Sequence, residues 1–142
     1  METTFHHLIL TVQNTFQKKI VSKAAESDLL PGQSKFLDYL EDHDGCEQKI
    51  LGEVFHLEGA TVTGILQRME QNGLIERRSQ NGNRKSNYVF LTEKGKAACT
   101  IVRNIFAEYE RCAFSGISSA EQEFFLEILQ KIYQNLTKEA NN

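Results

Sequence analysis

The stretch EQKILGEVFHLEGATVTGILQRMEQNGLIERR, residues 47–78, decides how the chain is read. Ile50, Leu51, Val54 and Phe55 recur at helical spacing and give a short helix from about Glu47 to Phe55, with those four as its inner face. Gly52 lowers the stability of that helix relative to Ala and so marks a close approach of another helix. His56-Leu57-Glu58-Gly59 is long enough only for a tight turn. A second helix runs from about Gly59 to Gln71, burying Val62, Ile65, Leu66 and Met69 at i, i+3, i+4 and i+7. Asn72-Gly73 stops it, because glycine enters the left-handed region freely at a helix C-terminus.

The period then changes. Leu74 to Arg78 and Asn87 to Leu91 read as two strands. Between them Ser79-Gln80-Asn81-Gly82-Asn83-Arg84-Lys85-Ser86 is too polar to bury and makes a hairpin tip. Two short helices about a tight turn, followed at once by a hairpin, predict a winged helix-turn-helix. Once the second helix buries its apolar stripe, Ala60, Thr61, Thr63, Gly64, Gln67 and Arg68 face outward. These are small or hydrogen-bonding and none is acidic, which suits a helix entering a major groove. The wing adds Arg77, Arg78, Asn83, Arg84, Lys85 and Ser86. Of the Arg77–Arg78 pair, at least one is expected to face a phosphate while the other caps a local carboxylate.

Outward from this core the chain stays helical. Phe5, Leu8, Ile9, Val12, Phe16 and Ile20 make one stripe over Phe5 to about Ala25. Pro31 is placed for the first turn of a helix carrying Phe36, Leu37 and Leu40. Thr92 is an N-cap for a helix with Ala98, Ile101, Val102, Ile105, Phe106 and Tyr109 that reaches about Phe114. Ser118-Ser119-Ala120-Glu121 is a capping box. It opens a last helix with Phe125, Ile128, Leu129, Ile132, Tyr133 and Leu136. The expected fold is mainly α with a small β-hairpin wing.

Composition narrows the function. The chain has 142 residues, 40% of them hydrophobic, with 9 Gly, 1 Pro and no Trp, enough to remove about 68–70% of its unfolded surface from water. From Thr61 to Arg103 eight Lys or Arg stand against three acids, a local +5 in a chain of net −3. That is the footprint of a polyanion partner within an acidic protein. No run approaches the ~20 apolar residues of a spanning helix, and no basic leader precedes Leu8–Val12, so a cytoplasmic chain without a membrane role is expected. Cys46, Cys99 and Cys112 are odd in number and widely spaced, which points to reduced thiols. His6, His7, His43 and His56 are scattered, so neither a metal nor any other cofactor is expected. P-loop, GxSxG, HExxH and dinucleotide patterns are absent, and no catalytic residue is assigned.

Taken together, residues 47–78, the later NRK (83–85) and LTEKG (91–95) resemble the DNA-binding domain of MarR-type transcription regulators. LLPGQSKFLDYL (29–40) is similar to the first helix of that domain and GISSAEQEFF (116–125) to the start of the family's last helix. The resemblance covers nearly the whole chain, in order. It implies a single MarR-like domain over 1–142, with the winged part at 30–95 and dimerisation helices at 1–27 and 96–140. It further implies a homodimer joined through apolar positions such as Phe5, Leu8, Val12, Ile128, Ile132 and Leu136. The partners so implied are double-stranded DNA, a second copy and a small-molecule effector, the last in a crevice for which Phe16, Tyr39 and Phe106 are candidates. The function implied is a repressor on a pseudo-palindromic operator. The alternatives are a winged module that binds protein, or a redox- or metal-responsive regulator. Two departures stand out. The family's wing often carries Asp-x-Arg, where this chain has Asn83 and Lys85 around Arg84, so either Arg84 or Lys85 would enter the minor groove. His56 occupies the turn position where the family usually has Gly.

Overall fold

The computed structural model describes residues 3–79 and 87–140. In chain order the elements are α1 (Phe5–Ala25), α2 (Gln33–Asp42), β1 (Cys46–Glu47), α3 (Gln48–Phe55), α4 (Gly59–Gln71), β2 (Ile75–Ser79), β3 (Asn87–Leu91), α5 (Glu93–Ala113) and α6 (Ser119–Ala140). The three strands form one antiparallel sheet in the order β1-β3-β2. The wing is therefore a three-stranded sheet and not only a hairpin. β1 escapes the sequence because two residues cannot display a period. Its signal lies just before it, at Asp44-Gly45. Gly45 turns at φ +83° against the Phe90 ring and donates its N–H to Val89 O at 2.8 Å, while the Asp44 carboxylate accepts from Leu91 N at 2.8 Å.

Two compact units divide the chain, Met1–Tyr109 and Glu110–Asn142. In the first, Phe36, Leu37, Leu40, Leu51, Leu66, Met69, Val89 and Val102 are wholly buried, each side chain contributing about 1.5–3 kcal/mol of burial. Ile20 and Ala24 of α1 and Ala98, Cys99 and Ile105 of α5 complete this core. Two expectations need correction. Pro31 is not in the first turn of α2. It sits in the preceding turn, where Gly32 takes φ +89° and the Gln33 side chain accepts from Leu30 N at 3.0 Å. Val54 of α3, expected to be inward, is 40% exposed.

The junction between α4 and α5 is tightly tied. Gly73 closes α4 at φ +74°. The Thr92 hydroxyl donates to Gly73 O at 2.6 Å and accepts from Gly95 N at 3.0 Å, which is the N-cap the sequence indicates. Thr92 N donates to Leu74 O, and Lys94 Nζ donates to Asn72 O at 2.7 Å.

In the second unit the capping box forms: Ser118 N donates to Glu121 Oε1, and Glu121 N donates to Ser118 Oγ, each at 3.1 Å. The Phe114 and Phe125 rings meet edge to face, 6.2 Å apart. No described residue of α6 is buried, although Phe124, Phe125, Leu126, Ile128, Tyr133 and Leu136 all lie on it.

Candidate nucleic-acid interface

The outward face of α4 follows from what its inner face buries. Val62, Leu66 and Met69 are buried and Ile65 partly so. On the other side Ala60, Thr61, Thr63, Gln67 and Arg68 are exposed, with Gly64 half-buried among them. A Cβ on Gly64 would meet nothing within 4 Å, so this face is open and narrow at its middle. Its side chains offer hydroxyl, amide and guanidinium groups, the donors and acceptors that can address base edges and phosphates. Arg68 has no carboxylate within ion-pair distance among the described residues.

The α3–α4 turn holds this face in place. Leu57 N donates to Gly52 O at 2.9 Å, and a Cβ on Gly52 would press on Leu57 O at 3.2 Å and Val62 Cγ2 at 3.5 Å. Gly52 thus permits the close approach its position suggests. His56 takes φ +54° and ψ +48°, the left-handed conformation that glycine usually fills and that histidine adopts more readily than most residues. Gln48 at the start of α3 reaches across to α4, its Nε2 donating to Thr63 Oγ1 at 3.0 Å. Sequence reasoning missed Gln48, since no local pattern marks a contact between residues 15 positions apart.

The strands sort the two arginines. Arg77 turns back to α4: its N–H donates to Glu70 Oε2 at 3.1 Å and its Nη2 to Glu70 Oε1 at 3.2 Å. Arg77 caps a carboxylate and braces the wing root against α4. Arg78 is the outward one, 58% exposed, lying over the Phe90 ring at 4.4 Å and paired with Glu76 at 2.7 Å. Asn83, Arg84, Lys85 and Ser86 lie outside the described residues. Within the basic segment, Lys96 pairs with Glu93 and Arg103 with Glu41 of α2, so much of the local charge is spent inside the protein.

The Arg77 hydrogen bond holds the Glu70 carboxyl below its usual value of 4.5. A depressed acid stabilises the fold above its unfolded pKa, and that contribution is lost as pH falls through the folded value. Glu70→Gln should therefore cost about 0.5–1 kcal/mol near neutrality, at the low end because Glu70 is partly exposed and screened. The urea midpoints of the two proteins should differ above about pH 5 and converge toward about pH 3. An unchanged gap at low pH would show that the pair contributes nothing through its charge.

Other candidate groups lie elsewhere. Cys99 is buried, its Sγ donating to Leu37 O at 3.2 Å, and burial pushes its thiol up to about 11. Burial also raises Cys46, while Cys112 is exposed. His43 Nδ1 lies 3.0 Å from Tyr39 O, and its ring stacks on Tyr39. No cluster of metal-ligating side chains occurs among the described residues, nor any helix long and apolar enough to cross a membrane. Phe16 and Phe106 come together, ring centroids 6.3 Å apart, but the cavity beside Phe106 measures only about 20 Å³. Tyr39 packs on His43 and on Phe55 of α3.

Comparison with known proteins places this geometry. Residues 29–86 match the MarR family. The organic hydroperoxide resistance transcriptional regulator of Bacillus subtilis is 32% identical over 104 residues, 67% of this chain and 71% of that protein. The HTH-type transcriptional regulator BilQ of Clostridium symbiosum is 24% identical over 141 residues, 99% of this chain and 96% of its own. Among solved structures, that of S. aureus MepR with DNA superposes with a TM-score of 0.86 at 27% identity, covering 95% of this chain and 99% of that one.

Proposed function

The chain belongs to the MarR family of DNA-binding transcriptional regulators, and on that premise we propose that it is a homodimeric repressor of a pseudo-palindromic operator. The observation that carries this reading is the α4 face, open, hydrogen-bonding and free of acids until Glu70. Ala60, Thr61, Thr63, Gly64, Gln67 and Arg68 read the major groove. Arg78 contacts backbone at the wing root and Arg84 or Lys85 reaches the minor groove, with Asn83 and Ser86 alongside. Arg77 serves as the brace. Residues 30–95 carry the DNA contacts, and 1–27 and 96–140 carry the dimer. Two such faces, about 34 Å apart, would match half-sites one helical turn apart.

The dimer is supported by apolar surface that one chain leaves uncovered. On α1, Phe5, Leu10 and Val12 are more than half exposed, and α6 shows the row described above. Charged residues would occupy such positions in a solvated helix. Leu8, Ile128, Ile132 and Leu136 belong to the same two stripes. The reading is of a cytoplasmic regulator without enzymatic activity. Burial raises the Cys46 and Cys99 thiols, which disfavours either of them as a peroxide-sensing thiolate, since the thiolate is the reactive form.

Two substitutions test the division of labour. Gln67→Ala should relax discrimination between operator and scrambled duplex by about 1–3 kcal/mol per lost base contact. Arg84→Ala should weaken binding to every duplex and lower the salt slope by about one unit. Equal losses on all duplexes for both variants would contradict separate roles for helix and wing.

A further inference from the structure

We propose that Gln48 sets part of the sequence preference of the α4 face by fixing the Thr63 hydroxyl as a hydrogen-bond donor toward DNA. The inference rests on the reading of α4 as the helix that meets base edges, and adds which bases Thr63 tolerates. Gln48 opens α3, and Thr63 stands exposed on the second turn of α4. The amide Nε2 of Gln48 donates to Thr63 Oγ1 at 3.0 Å. Both residues line the same surface depression, with Gly59 of α4 and Asn87 of β3.

A threonine hydroxyl has a single hydrogen and two lone pairs. With a lone pair taken by Gln48, the hydrogen still needs an acceptor, and helical threonines often give it to the carbonyl one turn back. Thr15 and Thr137 do so, donating to Thr11 O at 2.8 Å and to Tyr133 O at 2.9 Å. Thr63 makes no such bond among the described residues, where Gln48 is its hydrogen-bond partner. Its hydrogen is left for whatever stands in front of α4. The burial of the amide favours this orientation. Gln48 Oε1 is enclosed and has no partner among the described residues. Turning the amide over would enclose two donors in place of one acceptor, at a larger desolvation cost.

A hydroxyl held as a donor discriminates among bases. In the major groove guanine offers N7 and O6, adenine N7 and thymine O4 as acceptors, whereas cytosine offers only its amino donor. Cytosine opposite Thr63 would set two donors face to face, each desolvated without a partner. The Thr63 methyl also suits the methyl group of thymine. The base facing Thr63 is therefore one that carries an acceptor; thymine satisfies both groups and cytosine is refused. Gln48 itself touches no base. It is a positioning residue that acts through Thr63.

The test selects duplexes from a random library with the full chain, then measures the selected motif by fluorescence anisotropy with every base at every position. The unsubstituted protein should reject cytosine about tenfold at one position of the half-site. Thr63→Val should erase that rejection at the same position. Gln48→Glu presents only acceptors, so Thr63 then donates inward and shows its lone pairs to DNA. Cytosine and adenine, which carry amino donors, should become the favoured bases there, on top of a loss from the added negative charge that is equal on all duplexes. In the Thr63→Val background, Gln48→Glu should move the preference no further. Without DNA, Thr63→Val should shift the side-chain amide resonances of Gln48 in NMR spectra. Unmoved resonances, a Gln48→Glu loss equal at every position, or a cytosine rejection that survives either substitution would overturn the inference. Failure of the unsubstituted protein to select any motif would contradict the reading of α4 itself, and the inference with it, before any variant is compared.

Discussion

Gly95→Ala is expected to destabilise the first compact unit by about 3 kcal/mol, the largest effect of a methyl group added at any of the described glycines. Gly95 is buried in the first turn of α5, and a Cβ there would overlap the Leu74 carbonyl oxygen and meet Leu91 Cδ2 at 3.2 Å. Neither neighbour can yield cheaply. Leu74 O accepts from Thr92 N, and Leu74 and Ile75 are buried at the start of β2. Alanine improves intrinsic helix propensity by about 1 kcal/mol, which offsets only part of the overlap. Gly64→Ala is the control: its Cβ has open space, so the propensity gain should appear undiminished. Urea denaturation should show a lower midpoint for Gly95→Ala and an equal or higher one for Gly64→Ala. Equal midpoints would mean that the α4–α5 junction is not the tight packing described.

The second large effect concerns the uncovered stripes. Val12→Glu combined with Leu136→Glu should convert a dimer into monomers and lower affinity for a two-half-site duplex at least ~100-fold, through loss of simultaneous engagement. Val12 is 60% exposed and Leu136 57% exposed in the single chain, so neither substitution disturbs packing within that chain. A carboxylate buried without a partner is what the dimer would have to tolerate. Sedimentation velocity would show the change of mass, and circular dichroism would show helices retained. A variant that stays dimeric would place the interface elsewhere.

What the sequence reveals and what it hides divide along a physical line. α4 is legible in extent and in its inner face, because a four-residue apolar stripe and Asn72-Gly73 are local signals. So are α1, the β3 strand, the Thr92 cap and the Ser118–Glu121 box. Contacts between elements leave no such trace. Nothing near Arg77 says that it folds back on Glu70 while Arg78 turns out, nothing near Arg103 announces Glu41, and Gln48 gives no hint of Thr63. β1 exists only because Asp44 and Gly45 turn the chain onto β3. Val54 and Ile101 match a helical period yet stand partly exposed, since a period gives the face of a helix but not how far the core extends around it. For the interface, the α4 residues follow from exclusion by the core, whereas the state of each arginine depends on acids that fold up beside it.

The central claim, specific recognition of duplex DNA, is tested most directly by fluorescence anisotropy at two salt concentrations. The probes are a duplex from immediately upstream of the chain's own gene and a scrambled duplex of equal length. A preference for the upstream duplex that persists at the higher salt is the expected result, because base-edge contacts by α4 survive where phosphate contacts weaken. Binding that is weak, equal for both probes and abolished by salt would contradict it, leaving an electrostatic footprint without sequence readout.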